Sequence, residues 1–155
     1  MKPGEENEIC DLIIQTFNKF IAHLYPQKGV RQFLRYVKPR LLLQRSYANH
    51  FVMIAITQEK IVGMIEVRNY EHISLFYVLQ EFQMKGISKE LLRRSIDICL
   101  RCIPDLSQIT VNSSPNAVQI YEKLGFNKVS SEQLRNGIIF TPMVYILSSM
   151  LHLKS

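Results

Sequence analysis

The chain has 155 residues, of which 47% are hydrophobic, and it carries a formal net charge of +6. That length and apolar content predict one domain over residues 1–155 with a sizeable core, and they exclude an intrinsically disordered chain. No apolar run reaches about 18 residues and the opening MKPGEENEIC lacks an apolar core, so we predict no membrane-spanning helix and no signal peptide, and expect a cytoplasmic protein.

The cysteine spacing and the positive charge raise the possibility of a metal site and of nucleic-acid binding, and the rest of the sequence supports neither. Cys99 and Cys102 form a C-x-x-C pair, but no second Cys or His pair accompanies it, so we predict no metal and interpret both as small core residues of a helix. The basic residues are dispersed, so nucleic acid is not expected as the primary partner. A small polyanionic ligand or a solvated surface explains the charge equally well.

Two helical segments are predicted before the first strand. Between residues 6 and 24, apolar side chains recur every three or four positions, which is the spacing of an amphipathic helix. Pro26 and Gly29 end that pattern, and a second helical stretch follows over residues 30–45. Pro39 lies inside the second stretch, where its ring predicts a kink or a split into two helices.

The period then changes to two, which is typical of strands. Residues 50–57 and 60–68 are rich in β-branched side chains and are joined by the polar pair QE, which predicts a hairpin. A third strand is predicted over residues 72–79, and the polar link NYE before it predicts another antiparallel turn.

The second half of the chain alternates helices with strands. A helix is predicted over residues 86–103 and a short strand over residues 107–112. Ser114 is then a suitable N-cap for a shorter helix that ends at Gly125. FNKVSS and GIIFTPMVYIL predict two final strands, with an interruption or an edge position at Pro142. The strand–helix–strand unit predicts a parallel, right-handed crossover, and hence a mixed α/β sheet covered by helices.

The stretch QMKGIS, residues 83–88, stands where the third strand gives way to the long helix. The first turn of a helix presents unpaired N–H groups and a partial positive charge. Gly86 permits a close backbone approach, and Lys85 and Lys89 flank the turn, so the segment has the features of an anion site. A plain helix start explains the same residues, and the segment alone does not decide between the two.

Two motifs in this half resemble those of the GCN5-related N-acetyltransferases. In VLQEFQMKGIS, the residues Gln83, Gly86 and Ser88 occupy the marked positions of the family's Q/R-x-x-G-x-G/A coenzyme A signature, although serine replaces the usual glycine or alanine. YEKLGF, Tyr121–Phe126, matches the family's later signature letter for letter. The two motifs in this order are more specific than either alone, and the resemblance covers roughly residues 50–147.

The resemblance implies the GNAT fold, an α/β architecture of the mixed α+β type. Its core is a mostly antiparallel, twisted central sheet of about six to seven strands with helices on both faces. The opening MKPGEENEI is too short and too polar for the family's usual first strand, so either that strand is missing or the natural start lies upstream.

The resemblance also implies a site for coenzyme A, with acetyl-CoA as the co-substrate. The pantetheine arm is expected along the third strand, the pyrophosphate on the N–H groups of the glycine turn, and the phenol of Tyr121 at the sulfur. The implied coenzyme-binding residues are Phe76, Tyr77, Val78, Gln83, Met84, Lys85, Gly86, Ile87, Ser88, Lys89, Asn112 and Tyr121.

Three residues are candidates for proton transfer. Tyr121, a phenol with an ordinary pKa of about 10, is implied by the resemblance to protonate the leaving thiolate. Glu66, mid-strand among apolar residues, and His72, whose ordinary pKa suits the task, are candidates for the general base. Both bases have a structural alternative, because Glu66 could pair with Arg68 on a solvated face and a lone histidine at a strand start is commonly structural.

We therefore expect an N-acetyltransferase that moves an acetyl group from acetyl-CoA to a primary amine by direct attack in a ternary complex. A catalytically silent coenzyme A-binding sensor is the alternative. The acceptor cleft is expected between residues 24–40 and the last hairpin, including Phe140, and Glu66 and Glu71 suggest a cationic amine. No membrane partner is expected, and the chain is predicted to be a monomer or, through its apolar tail at 144–153, a homodimer.

Overall fold

A computed structural model describes residues 1–147 of the chain. The helices are α1 (Glu6–Phe20), α2 (Gln27–Tyr36), α3 (Pro39–Ser46), α4 (Ile87–Cys102) and α5 (Val118–Leu124). The strands are β1 (His50–Thr57), β2 (Lys60–Arg68), β3 (His72–Val78), β4 (Gln108–Ser113), β5 (Asn127–Lys128), β6 (Gln133–Arg135) and β7 (Ile138–Ile146). Two short 3-10 turns are present at Ala22–Leu24 and Gln80–Phe82.

The seven strands form one sheet in the order β1-β2-β3-β4-β7-β5, with β6 paired to the start of β7. Every pairing is antiparallel except that of β3 with β4, which is parallel as predicted for a strand–helix–strand unit. The prediction of a mixed α/β architecture with a mostly antiparallel sheet is therefore confirmed.

Helices cover both faces of the sheet because each long helix presents an apolar stripe to it. One core joins Ile96 of α4 to Val111 of β4, and the other joins Ile13 of α1 to Met64 of β2. β2 lies between the two cores, and it is buried from residue 61 to residue 67. A strand buried on both faces does not show the alternation of apolar and polar residues that a half-exposed strand shows.

Two helix starts depend on local chemistry. Pro39 splits the second helical stretch, since α2 ends at Tyr36 and Pro39 opens α3, where its missing N–H sacrifices no helical hydrogen bond. The prediction that Ser114 is the N-cap of α5 is wrong, because Ala117 takes that position. The hydroxyl of Ser114 instead donates to Oδ1 of Asn116 at 2.8 Å, in a local turn that precedes the helix.

The C-terminal part of the described chain contains one strand more than predicted. FNKVSS contributes only β5, and the unpredicted β6 joins β7 through a turn at residues 136–137. Pro142 lies within β7, and the interruption falls in the neighbouring strands, because β6 pairs with β7 up to Phe140 and β5 pairs with it from Met143. The apolar tail predicted to support a dimer continues past Leu147, where residues 148–153 lie outside the described residues.

Among residues 1–147 no strand precedes β1. The N-terminal ammonium of Met1 donates to the carbonyl oxygen of Val52 at 2.8 Å, beside the outer strand β1. Over the same residues, no helix is both long enough and apolar enough to cross a membrane.

The two parallel strands β3 and β4 separate soon after they begin to pair. Only His72 with Thr110 and Ile73 with Val111 are paired between them. Ser74 comes next and is the extra residue of a β-bulge in the ladder between β2 and β3. From there on, the edge of β3 that faces β4 is free of strand pairing, and the gap opens into a cleft.

Candidate functional site

The gap between β3 and β4 leads into a cleft of about 880 Å³. Its walls are β3, the glycine turn at residues 83–89, α5, the end of α1 together with α2, and the β6–β7 hairpin. The predicted site residues that line the cleft are His72, Phe76, Tyr77, Val78, Gln83, Met84, Gly86, Ile87, Ser88, Lys89, Asn112 and Tyr121. Glu66 and Lys85 do not line it, and the ammonium of Lys85 lies 5.4 Å from the ring centroid of Phe82.

The glycine turn has the geometry of an anion site. Gly86 is the N-cap of α4 and has φ +83°, a left-handed conformation that side chains disfavour. A Cβ on Gly86 would meet no atom within 4 Å, so the dihedral angle and not crowding within the protein calls for glycine. The first helical bond runs from the N–H of Glu90 to the carbonyl of Gly86 at 3.0 Å, which leaves the N–H groups of residues 87–89 directed out of the first turn.

A side-chain hydrogen bond of Gln83 links the glycine turn to β3, the strand before it. Its side-chain Nε2 donates to the carbonyl oxygen of Val78, the last residue of β3, at 2.9 Å. The amide is therefore used to fix the angle between strand and turn, while the residue still lines the cleft. The free edge of β3 and the turn consequently form one continuous, rigid wall.

Tyr121 projects from α5 into the aromatic part of the cleft. Its ring packs edge to face against Phe76 at a centroid distance of 6.2 Å and against Phe126 at 5.3 Å. Only 8% of the residue is exposed, and burial raises the pKa of the phenol well above its usual value of about 10. The phenol is therefore protonated at neutral pH, which is the form that can give a proton to a thiolate.

His72 lies at the closed end of the gap, where β3 and β4 are still paired. Its Nδ1 is 2.7 Å from Oγ1 of Thr110. Burial, followed by the nearby charge of Arg68, lowers the pKa of the imidazole to about 4. The imidazole is therefore neutral at neutral pH, and Nε2 is the nitrogen left for another partner.

Glu66 is fully buried beneath α2 and α3, on the far side of a tyrosine that lines the cleft. Its carboxylate accepts hydrogen bonds from Nε of Arg45 at 2.9 Å and from the hydroxyl of Tyr36 at 3.1 Å, and it lies 3.3 Å from Nδ1 of His50. Neither the solvated face nor the pairing with Arg68 that the sequence suggested is found. Glu66 reaches the cleft only through Tyr36, which lines it.

Tyr36, Ser74 and Arg135 line the cleft and were not foreseen from the sequence. Tyr36 and its cation partner Arg45, whose guanidinium carbon lies 3.7 Å from the ring centroid, meet only because α2 and α3 fold back on each other. Ser74 has a buried hydroxyl without a hydrogen-bond partner in the described chain, and its bulge leaves no sequence signal. Arg135 was detectable, because the Asn-Gly pair that follows it is a strong hairpin signal.

The expected acceptor side of the cleft is built by α2 and the β6–β7 hairpin. Phe33 of α2 stacks on Phe17 at a centroid distance of 3.9 Å, and Phe140 of β7 lines the same cavity. Gly29 and Gly137 bring the two elements together backbone to backbone, since a Cβ on Gly29 would overlap the carbonyl oxygen of Gly137. The segments 24–40 and 135–140 thus meet at these glycines, and both contribute residues to the lining of the cleft.

The cysteines do not form a metal site in the part of the chain that the structure describes. No group of three or more His, Cys, Asp or Glu side chains comes together there as a metal site would require. Cys99 is buried and Cys102 is exposed, so the interpretation as core residues is right for Cys99 and wrong for Cys102.

Comparison with protein families supports the motif assignment. The model of the acetyltransferase (GNAT) domain matches residues 21–147, which is most of the chain. A curated relative, described as the uncharacterized N-acetyltransferase YafP of Escherichia coli K12, is 23% identical over 141 residues, which cover 90% of this chain and 87% of the relative.

Solved structures have the same fold at low sequence identity. The PaiA N-acetyltransferase of Thermoplasma acidophilum, determined in complex with coenzyme A, superposes with a TM-score of 0.76 at 18% identity and covers 94% of this chain and 95% of its own. A GNAT-family acetyltransferase of Staphylococcus aureus Mu50 gives a TM-score of 0.75 at 17% identity, with 95% and 96% covered. With the family model matched across both signature motifs, this chain belongs to the GNAT acetyltransferase family.

Proposed function

We propose that the protein transfers an acetyl group from acetyl-CoA to a primary amine by direct attack in a ternary complex. The observation that carries this proposal is the gap between β3 and β4, which has the glycine turn at its open end and the phenol of Tyr121 on its wall. A GNAT chain with both features has a place for the diphosphate and a proton donor for the sulfur.

The coenzyme is proposed to lie along the free edge of β3. The N–H groups of Ile87, Ser88 and Lys89 would hold the pyrophosphate, with the ammonium of Lys89 as a nearby countercharge. The backbone of β3 from Phe76 to Val78 would pair with the amides of the pantetheine arm, and Asn112 would bond that arm from the β4 side. This pairing would replace the strand contact that is missing where β4 diverges.

The chemistry then needs a proton donor and a proton acceptor. The neutral amine attacks the thioester carbonyl, the carbon–sulfur bond breaks, and Tyr121 gives its proton to the departing thiolate. The free nitrogen of His72 is the proposed acceptor for the proton of the amine, and its low pKa makes it a weak base that depends on close contact. Glu66 is proposed to act indirectly, by fixing the hydroxyl of Tyr36 at the cleft wall.

The test combines calorimetry with a turnover assay. Coenzyme A is titrated into the protein, and thiol release from acetyl-CoA is then followed across a panel of primary amines. Uptake with amine-dependent thiol release supports the proposal. Uptake without turnover for any amine favours a silent coenzyme-binding module, and no uptake by folded protein contradicts both.

The free cysteines of the described chain fit the proposed cytoplasmic location, because reduced thiols are typical of that compartment. The proposed partners are acetyl-CoA and the amine acceptor. A monomer or a homodimer remains the prediction for the oligomeric state.

A further inference from the structure

The charged side chains that line the cleft are all basic. The described residues that line it include the basic side chains Arg68, Lys89, Lys123 and Arg135 and include no Asp or Glu. Of the two acids that suggested a cationic acceptor, neither lines the cavity. A polyamine would therefore meet cations and find no carboxylate, which makes it a poor match for this site.

Two of the four cations belong to the half of the cleft where the coenzyme is proposed to lie. Lys89 lies in the first turn of α4, beside the proposed diphosphate site. Lys123 lies on α5, two residues beyond Tyr121. The negative charges of the proposed coenzyme would be neutralised on this side of the cleft, so these two lysines are not used to infer the acceptor.

The other two cations lie in the acceptor half. Arg68 is two residues from Glu66 on β2, so both point to the sheet face covered by α2, where Glu66 meets Tyr36. Arg135 belongs to the hairpin that contacts α2 through Gly137. In the described chain no carboxylate lies within 4.0 Å of either guanidinium, in contrast to the paired Arg45.

The surroundings of Arg135 are apolar as well as charged. Its guanidinium carbon lies 5.6 Å from the ring centroid of Phe140, and Tyr25 and Phe33 line the same cleft. A guanidinium held against an aromatic ring keeps its planar fork in place, and that fork matches the two oxygens of a carboxylate. The acceptor half therefore offers one anion-binding group beside an aromatic surface.

We infer that the acceptor is an amine that also carries a carboxylate on an apolar or aromatic body, and that Arg135 binds this carboxylate with Arg68 as a second cation. The inference rests on the proposed acetyltransferase function and narrows it to one substrate class. It makes Arg135 a specificity-determining residue and leaves the chemistry at the sulfur unchanged.

The test uses matched acceptors that differ only in the carboxylate. Apolar and aromatic amino acids are compared with their amides, with phenethylamine and with spermidine, both as substrates and as ligands of protein saturated with coenzyme A. We expect a kcat/KM at least tenfold higher for the acids than for the amides. Arg135→Gln should remove that ratio through KM, with kcat and coenzyme affinity kept. The control is Arg101→Gln, an exposed arginine of α4 outside the cleft, which should behave as wild type.

Three results would overturn the inference. They are equal or better binding of the amides or of spermidine, no binding of any acid to the coenzyme-loaded protein, and an Arg135→Gln variant that loses coenzyme affinity by the same factor as acceptor affinity. Acetyl-CoA uptake is measured first. Uptake with turnover of uncharged or cationic amines at a kcat/KM equal to or above that of the acids overturns only the inference, whereas no uptake removes the proposed function and the inference together.

Discussion

Burial acts on the two titratable candidates of the cleft in opposite directions and leaves both neutral. It raises the pKa of the phenol of Tyr121, and together with Arg68 it lowers that of the imidazole of His72 to about 4. At neutral pH one group thus holds a proton to give and the other has a free nitrogen to receive one. The two groups can be tested separately, Tyr121 through the rate of turnover and His72 through the pH dependence of stability.

Replacing Tyr121 with phenylalanine should remove the proton donor and keep the packing. The ring contacts with Phe76 and Phe126 do not involve the hydroxyl, so stability and coenzyme affinity should change little. We expect kcat to fall by about 100-fold, the lower end of general acid catalysis. The control is Tyr47→Phe, a tyrosine that is 72% exposed. An unchanged kcat in Tyr121→Phe would show that the proton comes from another source.

His72 should make the stability of the protein depend on pH on the acid side. The unfolded histidine titrates near about 6.5 and the folded one near about 4, so between these values the unfolded chain binds more protons and stability falls as the pH is lowered. The loss should reach about 3 kcal/mol near pH 4, because each pKa unit is worth about 1.36 kcal/mol. Above about pH 6.5 this contribution is fully present.

The measurement is denaturant unfolding of wild type and His72→Gln at pH 7 and pH 4.5. The variant should show the shallower dependence on pH, whereas His23→Gln, an exposed histidine, should follow wild type. Parallel curves for wild type and His72→Gln would contradict the lowered pKa.

At the scale of the element, the glycine turn is the proposed docking point for the diphosphate of the coenzyme. Gly86 caps α4 with φ +83°, and the cost of an alanine there is conformational because its Cβ would meet no atom within 4 Å. A left-handed residue with a side chain costs about 1 to 2 kcal/mol. Relief of that strain would turn the N–H groups of residues 87–89 away from the proposed diphosphate site.

Gly86→Ala should therefore weaken coenzyme binding by about tenfold while the protein still folds, because losing aligned N–H donors removes about 1.4 kcal/mol of affinity. Gly4→Ala is the matched control, with φ +99° and open space around its Cβ but a position outside the cleft. Calorimetry on both variants separates strain from binding. Equal coenzyme affinity in the two would mean that the turn does not hold the diphosphate.

The sequence predicts most helices and strands, but it does not predict how they pair and pack against one another. Periodicity and breakers predict β1, β2, β3 and α4 to within about two residues, because each is encoded in its own segment. The start of α5 was missed because the hydroxyl of Ser114 bonds within a local turn. The separation of β3 from β4 and the burial of Glu66 depend on neighbours distant in sequence, so no local pattern reports them.

At the scale of the whole molecule, a buried polar network joins the helical layer to the sheet. Glu66 of β2 is bonded to Tyr36 of α2 and to Arg45 of α3, and it lies beside His50 of β1. The side chain of Arg45 is only 16% exposed, so water could solvate its charge only poorly if the carboxylate were lost. The network stabilises the position of α2 over the cleft as well as the fold itself.

Glu66→Gln should destabilise the protein by about 3 kcal/mol, because it leaves a buried guanidinium without its countercharge. The comparison is Glu90→Gln on the surface of α4, where the carboxylate pairs with Arg93 and Arg94. That variant should lose much less, since exposed ion pairs are weakened by water and salt. Denaturant titration at pH 7 gives both numbers, and a similar loss in the two variants would refute the special role of the buried network.

Gly29 and Gly137 touch through their main chains, and this contact limits how the proposed acceptor side of the cleft can be remodelled. Neither position has a side chain to shorten, and any larger residue would wedge the helix and the hairpin apart. The placement of the β6–β7 hairpin against α2 is therefore set by backbone geometry. Making room for bulkier amines would therefore require smaller side chains in place of Phe33 and Phe140, with Gly29 and Gly137 left unchanged.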